Sequence, residues 1–106
     1  RGVLIVGSGN IVHNLRALRR DVADNQAYDW AQAFDAAIQQ QIAKGQLDAL
    51  QKFQSLGDIA RLSHPTYDHF LPLLYAAGAA APDEVPLFFN TGFQAASISM
   101  RSVLWG

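Results

Sequence analysis

The sequence predicts an α/β fold, a mixed sheet with helices on its faces. Three observations predict it: an aliphatic run at residues 3–6, a middle third with helical spacing of apolar residues, and two strand-like runs at 85–93 and 96–105. The order of one strand, several helices and two further strands is typical of layered α/β folds. With 106 residues, the chain is long enough for one modest core.

The first predicted unit is a strand, a glycine turn and a helix. The aliphatic run at residues 3–6 favours a strand buried on both faces, as in a parallel sheet. The Gly-Ser-Gly turn at 7–9 follows, and Asn10 is a good N-cap for a helix that continues to about Asp21. We therefore expect His13 to lie in the first turn of this helix, at the carboxyl end of a parallel strand, where α/β sheets keep their ligand crevice.

The glycine turn does not match a nucleotide-binding motif. A dinucleotide fingerprint needs a third glycine near Val12, and a phosphate loop needs a lysine followed by serine or threonine. Because the positive end of a helix disfavours imidazolium, we predict a neutral His13 that accepts a proton or binds a metal. The alternative is a hydrogen-bonded histidine without a chemical role.

The middle third of the chain predicts two helices. The first is amphipathic and ends near Gly45, because apolar side chains recur at every fourth position: Trp30, Phe34, Ile38 and Ile42. A shorter helix follows and ends near Gly57. Asp35 and the neighbouring acidic residues are assigned to a solvated helix face.

Two histidines, His64 and His69, lie five residues apart, which is a poor helical spacing for a shared metal ion. Pro65 predicts an extended backbone at His64, in a loop exposed to solvent. Asp68 is predicted to cap a helix with His69 in its first turn. His69 is therefore the preferred candidate ligand and His64 the second choice, with an inert surface histidine as the alternative for His69.

The C-terminal run at 96–105 alternates in polarity. Ile98 and Met100 alternate with polar neighbours, so we expect one face of this strand to be open to water.

Composition excludes several classes of protein. The net charge is −1 and the basic residues form no stripe, which argues against a nucleic-acid partner. The absence of cysteine excludes disulfides and thiolate sites, and permits a reducing compartment. Apolar runs are all shorter than the ~20 residues of a membrane span. We expect a soluble, cytoplasmic protein, and a strand starting almost at Arg1 suggests a cut through a larger fold.

Two motifs in order resemble a known family. "GSGNIVHNLR" and, some fifty residues later, "HPTYDHFLPLLYAAGAA", followed by "NTGFQAASISMRSVLWG", resemble the C-terminal part of the LigB-like class III extradiol ring-opening dioxygenases, in the DOPA 4,5-dioxygenase branch. The resemblance implies that residues 1–106 are the C-terminal portion of a single catalytic domain, part of a LigB-like dioxygenase fold.

The resemblance also implies a site and its chemistry. The family holds a non-haem Fe²⁺, or Zn²⁺, mainly through histidines. His13 matches the active-site histidine, predicted here as the catalytic acid/base and as a metal ligand, and His69 matches a metal-site histidine. Two further family histidines belong to an N-terminal half that this chain lacks. The implied partners are that half, a catechol and O₂, and the implied reaction opens the ring of DOPA or a related catechol. The alternative is a zinc-binding structural or interaction module without turnover.

Overall fold

A computed structural model describes residues 2–106 of the chain. It contains three α-helices, α1 (Asp29–Ala43), α2 (Asp58–Ser63) and α3 (Leu71–Ala79), and two 3₁₀ helices, Leu15–Ala17 and Leu47–Leu56. The strands are β1 (Pro86–Phe89), β2 (Phe93–Gln94), β3 (Ile98–Ser99) and β4 (Ser102–Trp105). These elements confirm the α/β class. In the part of the chain that is described, no helix is long and apolar enough to cross a membrane.

The strands form two small sheets. β1 pairs antiparallel with β4, and β2 pairs antiparallel with β3. Two isolated bridges extend this pairing, one antiparallel between His13 and Ile98 and one parallel between Ala27 and Ala96. The mixed strand directions therefore come from two antiparallel pairs and one parallel bridge, and not from one continuous sheet.

Helix α1 forms the centre of the core, as its spacing predicts. Phe34, Ile38 and Ile42 are fully buried, and α1 packs against α2 and the 3₁₀ helix Leu47–Leu56. This 3₁₀ helix is the predicted second helix, and it ends at Leu56 with Gly57 as its C-cap. The core continues with residues from the other elements: Ile11, Val12, Leu50, Phe53, Ala60, Phe70 and Ala77.

The predicted N-terminal strand does not form in this structure. Within residues 2–10 there is no strand, and at least half of each side chain at positions 3–6 is exposed. A strand buried on both faces needs a hydrogen-bonded neighbour and a covering layer. Among the described residues, none pairs with positions 3–6 in a strand ladder.

The helix predicted to begin at Asn10 is also wrong. Only the short 3₁₀ helix Leu15–Ala17 forms, and its N-cap is Asn14, whose side chain accepts hydrogen bonds from the backbone N–H groups of Arg16 and Ala17. The backbone of residues 11–14 instead bonds to distant segments of the chain. Those tertiary hydrogen bonds replace the i to i−4 bonds that a helix would need.

The polar face of the run at 96–105, predicted to be open to water, points into the protein instead. Ser97 and Ser99 are buried, whereas Met100 is exposed. The Ser97 hydroxyl donates to the Asn14 carbonyl oxygen (2.7 Å), and the Ser99 hydroxyl donates to the Asp35 carboxylate (2.6 Å). Because both hydroxyls have acceptors inside the protein, burial does not leave them unsatisfied.

Candidate active site

His13 and His69 form a stacked pair of imidazoles. Their ring centroids are 3.6 Å apart and their planes differ by 13°. His13 lies in segment 11–14, at the isolated antiparallel bridge to Ile98, and His69 lies two residues before α3. Both side chains remain partly open to solvent. The structure thus brings together the two histidines that the sequence singles out, although neither lies in the helix predicted for it.

The Gly-Ser-Gly turn permits this approach. A Cβ on Gly9 would overlap the carbonyl oxygen of His69, and a Cβ on Gly7 would overlap that of Pro72. The Asn10 N–H donates to the His69 carbonyl oxygen (2.8 Å). The glycines therefore serve close packing between the two backbone segments that carry the histidines.

One edge of segment 11–14 is bonded to the C-terminal strands. The Ser99 N–H donates to the Val12 carbonyl oxygen (3.0 Å), and the Asn14 N–H donates to the Ser97 carbonyl oxygen (3.2 Å). This is the bonding expected around an antiparallel bridge. We call these contacts the strand-side support.

The other edge of the same segment is bonded to the end of α2. The His13 N–H donates to the Ser63 carbonyl oxygen (3.0 Å), and the Asn14 side-chain amide donates to that of Leu62 (2.7 Å). His64 completes this helix-side support, because its Nε2–H donates to the Ile11 carbonyl oxygen (2.5 Å).

His64 is buried, which contradicts the solvated loop expected for it. Its backbone lies outside the helical region (φ −139°, ψ 83°), and only 1% of the residue is exposed. Its ring packs beside the rings of Phe34 and Phe70, at centroid distances of 5.6 and 5.0 Å, and these two phenyl rings also contact each other. Burial lowers the pKa of His64 to about 4, against the partial opposition of its hydrogen bond to the Ile11 carbonyl. The ring is therefore neutral at pH 7.

The pKa of His13 is also lowered, first by partial burial and then by the neighbouring His69, while the nearby Asp68 carboxylate acts in the opposite direction. The direction agrees with the predicted neutral His13. The predicted cause, a helix N-terminus, is wrong because the chain is extended at this position.

Asp68 does not cap a helix. Its carboxylate accepts a hydrogen bond from the Thr66 hydroxyl (2.5 Å) and lies 3.6 Å from Nε2 of His69. Helix α3 begins later, at Leu71, and Pro72 lies in its first turn, where a missing N–H costs little. His69 consequently precedes the helix and projects from the connecting segment.

The imidazole pair suits part of a metal site. Fe²⁺ and Zn²⁺ both accept imidazole nitrogen, and neutral rings are the ligating form. Among residues 2–106, however, no three His, Asp or Glu side chains cluster as a metal site. Because the two rings are stacked nearly parallel, one imidazole would hold the ion through its ring nitrogen while the other would stay free beside it. This arrangement suits one ligand and one neighbouring acid/base.

The solvated helix face predicted for Asp35 is wrong, because this carboxylate is buried in an ion pair with Arg101. Arg101 donates two hydrogen bonds to Oδ2 of Asp35, from Nε (3.0 Å) and Nη2 (2.9 Å), and both side chains are largely buried. Asp35 also accepts from the Ser99 hydroxyl, so the pair stabilises the strand-side support. One sequence signal existed, because position 35 falls on the buried stripe of α1, at a helical spacing from Ala31 and Ile38.

Comparison with known proteins defines the class to which this fold and site belong. The family model described as the catalytic LigB subunit of aromatic ring-opening dioxygenase matches residues 1–100. The chain is a member of this family.

Individual relatives narrow the comparison. The chain is 35% identical to 4,5-DOPA dioxygenase extradiol of Escherichia coli K12, over 99% of this chain and 39% of that protein. It is 35% identical to the protein of the same name from Beta vulgaris, over 74% of this chain and 29% of that one. A crystal structure of an uncharacterized protein from Escherichia coli K12 superposes with a TM-score of 0.80 at 32% identity, covering 91% of this chain and 40% of that one. The chain thus spans about two fifths of these Escherichia coli proteins.

Proposed function

We propose that the full-length protein carrying this chain is an extradiol dioxygenase that opens the ring of DOPA or a related catechol at a non-haem metal site. The stacked pair of His13 and His69 is the observation that supports it most directly. The names of the Escherichia coli and Beta vulgaris relatives support the same substrate class.

In this proposal His69 is a metal ligand and His13 is the acid/base. His69 would hold the metal, Fe²⁺ or Zn²⁺, which when bound would bring the catechol and O₂ together. His13, held neutral by burial and by His69, accepts the proton of a catechol hydroxyl on its free ring nitrogen and later returns it to an oxygen of the opened ring. A ligand role for His13 in addition to the acid/base role is the alternative. It would require one of the two stacked rings to turn, and under it the His13→Gln variant would lose metal as well as activity.

The proposal also treats residues 1–106 as the C-terminal portion of one catalytic domain. The Escherichia coli relatives are covered only to 39% and 40%. The two histidines near this site are fewer than the three protein ligands typical of a catalytic metal centre. Further ligands are expected from the rest of the longer protein.

Oxygen uptake tests this function. The full-length protein is loaded anaerobically with Fe²⁺, and O₂ consumption is followed with DOPA and with simpler catechols.

We expect His69→Ala to lose the metal and the activity together. His13→Gln should retain the metal and lose about 10²- to 10⁴-fold in kcat, the contribution typical of a general acid/base. Lys44→Gln, at the exposed end of α1, is the control and should match the parent. Absence of O₂ uptake by the loaded parent would overturn the proposal.

A second candidate is a zinc-binding structural or interaction module without turnover. The observation in its favour is that residues 2–106 bring together only a histidine pair. It predicts that the full-length protein binds Zn²⁺ and gains thermal stability from it, while its Fe²⁺ form leaves O₂ and catechols unchanged.

A further inference from the structure

We propose that His64 is a positioning residue for the reaction: as a hydrogen-bond donor to the Ile11 carbonyl, it fixes the backbone that holds His13 against His69. This role is distinct from metal ligation and rests on the proposed function for its catalytic consequence. The hydrogen bond donated by His64 and its effect on the stacked pair of His13 and His69 can be tested without measuring turnover.

The first step concerns the tautomer of His64. A carbonyl oxygen only accepts hydrogen bonds, so the contact between Nε2 and the Ile11 oxygen requires the proton on Nε2. Nδ1 is then the bare nitrogen, and it has no hydrogen-bond partner among the described residues. The ring is otherwise packed against the phenyl rings of Phe34 and Phe70, so the donation to Ile11 is the hydrogen bond that the imidazole makes among the described residues.

The second step concerns the backbone that this donor holds. Ile11 is 4% exposed, so its carbonyl oxygen has little access to water if the donor is removed. His13 follows two residues later, and its own N–H bonds to the carbonyl oxygen of Ser63, the neighbour of His64. Two consecutive residues at the end of α2 thus bond to two groups that flank Val12 on the same edge of segment 11–14.

The third step links that edge to the imidazole pair. The rings of His13 and His69 stack with their centroids 3.6 Å apart. The two backbone segments that carry them are also joined directly, because the Asn10 N–H donates to the His69 carbonyl oxygen. Loss of the Ile11 contact leaves a buried acceptor unsatisfied and favours a shift of the segment toward water or another donor. A shift of about 1 Å at a reacting group is enough to cost about a hundredfold in rate.

Two amide substitutions at His64 distinguish the role of Nε2 from that of Nδ1. In His64→Gln the side-chain NH₂ reaches about the position of Nε2 and can donate to Ile11. In His64→Asn the shorter amide reaches only the position of Nδ1, so the donor is lost although the side chain stays polar. The full-length Fe²⁺-loaded protein is compared in the three forms for metal content, kcat and KM with DOPA, and the ¹H and ¹⁵N shifts of the His13 ring in the metal-free form.

We expect His64→Gln to keep kcat within about threefold of the parent, and His64→Asn to lose about a hundredfold in kcat with KM and metal content nearly unchanged. The His13 shifts should move in His64→Asn and stay in place in His64→Gln. The ¹⁵N spectrum of the parent should show His64 protonated on Nε2 only.

Three results would overturn the inference: equal kcat in the two variants, loss of metal in both, which would make His64 a ligand, or protonation of the parent ring on Nδ1. If His64→Asn fails to fold, the tautomer and the His64→Gln variant still decide, because a glutamine that folds but loses kcat contradicts the role of the donor. If the parent consumes no O₂, the proposed function fails. The ¹H and ¹⁵N shifts of the His13 ring in the two variants then show by themselves whether His64 positions His13.

Discussion

The two supports of segment 11–14 use different chemistry for the same task. The strand-side support is stabilised by a charged pair, because Ser99 and Arg101 both bond to the Asp35 carboxylate. The helix-side support depends on a neutral imidazole, that of His64. Both are buried, and together they hold the two edges of the segment that carries His13.

The difference determines how each support fails. A buried ion pair is costly to break from one side, since the remaining charge stays without a partner. A buried neutral histidine stops stabilising the fold when its ring takes up a proton, because protonation places a charge in an apolar site. The strand-side support is therefore most sensitive to substitution, and the helix-side support to pH.

The largest effect is expected from removing one partner of the ion pair. Asp35→Ala leaves Arg101 buried and unpaired, and should lower the free energy of unfolding by about 3–5 kcal/mol. Urea denaturation measures this value. The double variant Asp35→Leu with Arg101→Met should recover most of the loss, and a double variant as unstable as the single one would show that the charges are not the cause.

Acidification should reveal the helix-side support. The folded-state pKa of His64 is about 4, below the ordinary value of 6.5, so the unfolded chain binds the proton more tightly. The stabilisation is fully present above pH 6.5 and is lost as the pH falls toward 4, by up to about 3 kcal/mol. The neighbouring His13, His69 and Asp68 contribute to the field at this ring. The difference in unfolding free energy between the parent and His64→Gln should change across this range, and a constant difference would contradict the assignment.

A smaller effect is expected where the two histidine-bearing segments meet. Gly9→Ala places a Cβ against the His69 carbonyl oxygen, so we expect a loss of about 1–3 kcal/mol and a change in the His13 ring shifts. Gly78→Ala is the matched control, because that helical position has open space around it and should gain about 0.5–1 kcal/mol. Equal behaviour of the two variants would show that the glycine turn is not needed for the approach.

The smallest effect concerns a single hydroxyl of the strand-side support. Ser97→Ala removes the donor to the Asn14 carbonyl oxygen and should cost about 1 kcal/mol. Ser55→Ala, which removes an exposed hydroxyl, should leave the stability unchanged within error. An equal loss of stability in both variants would show that the hydrogen bond from Ser97 to Asn14 is not its cause.

The sequence predicts some elements well and others poorly for physical reasons. Helix α1 follows from its apolar spacing, because a 15-residue helix with a buried stripe is determined largely by local pattern. Segment 11–14 has local helix signals as well, yet it forms no helix, because its backbone groups bond to Ser63, Ser97 and Ser99. Local propensity is a weak prior where such distant partners exist.

The family resemblance, the α/β class, the helical middle of the chain and the selection of His13 and His69 follow from the amino-acid sequence. The stacking of these two rings, the buried donor at His64 and the pairing of Asp35 with Arg101 are seen only in the folded molecule. The cause of this division is the distance along the chain between the groups in contact. The hydrogen bonds from His64 to Ile11 and from Arg101 to Asp35 join groups 53 and 66 residues apart. Contacts at such separations leave no periodicity in the sequence and form only when the segments pack together.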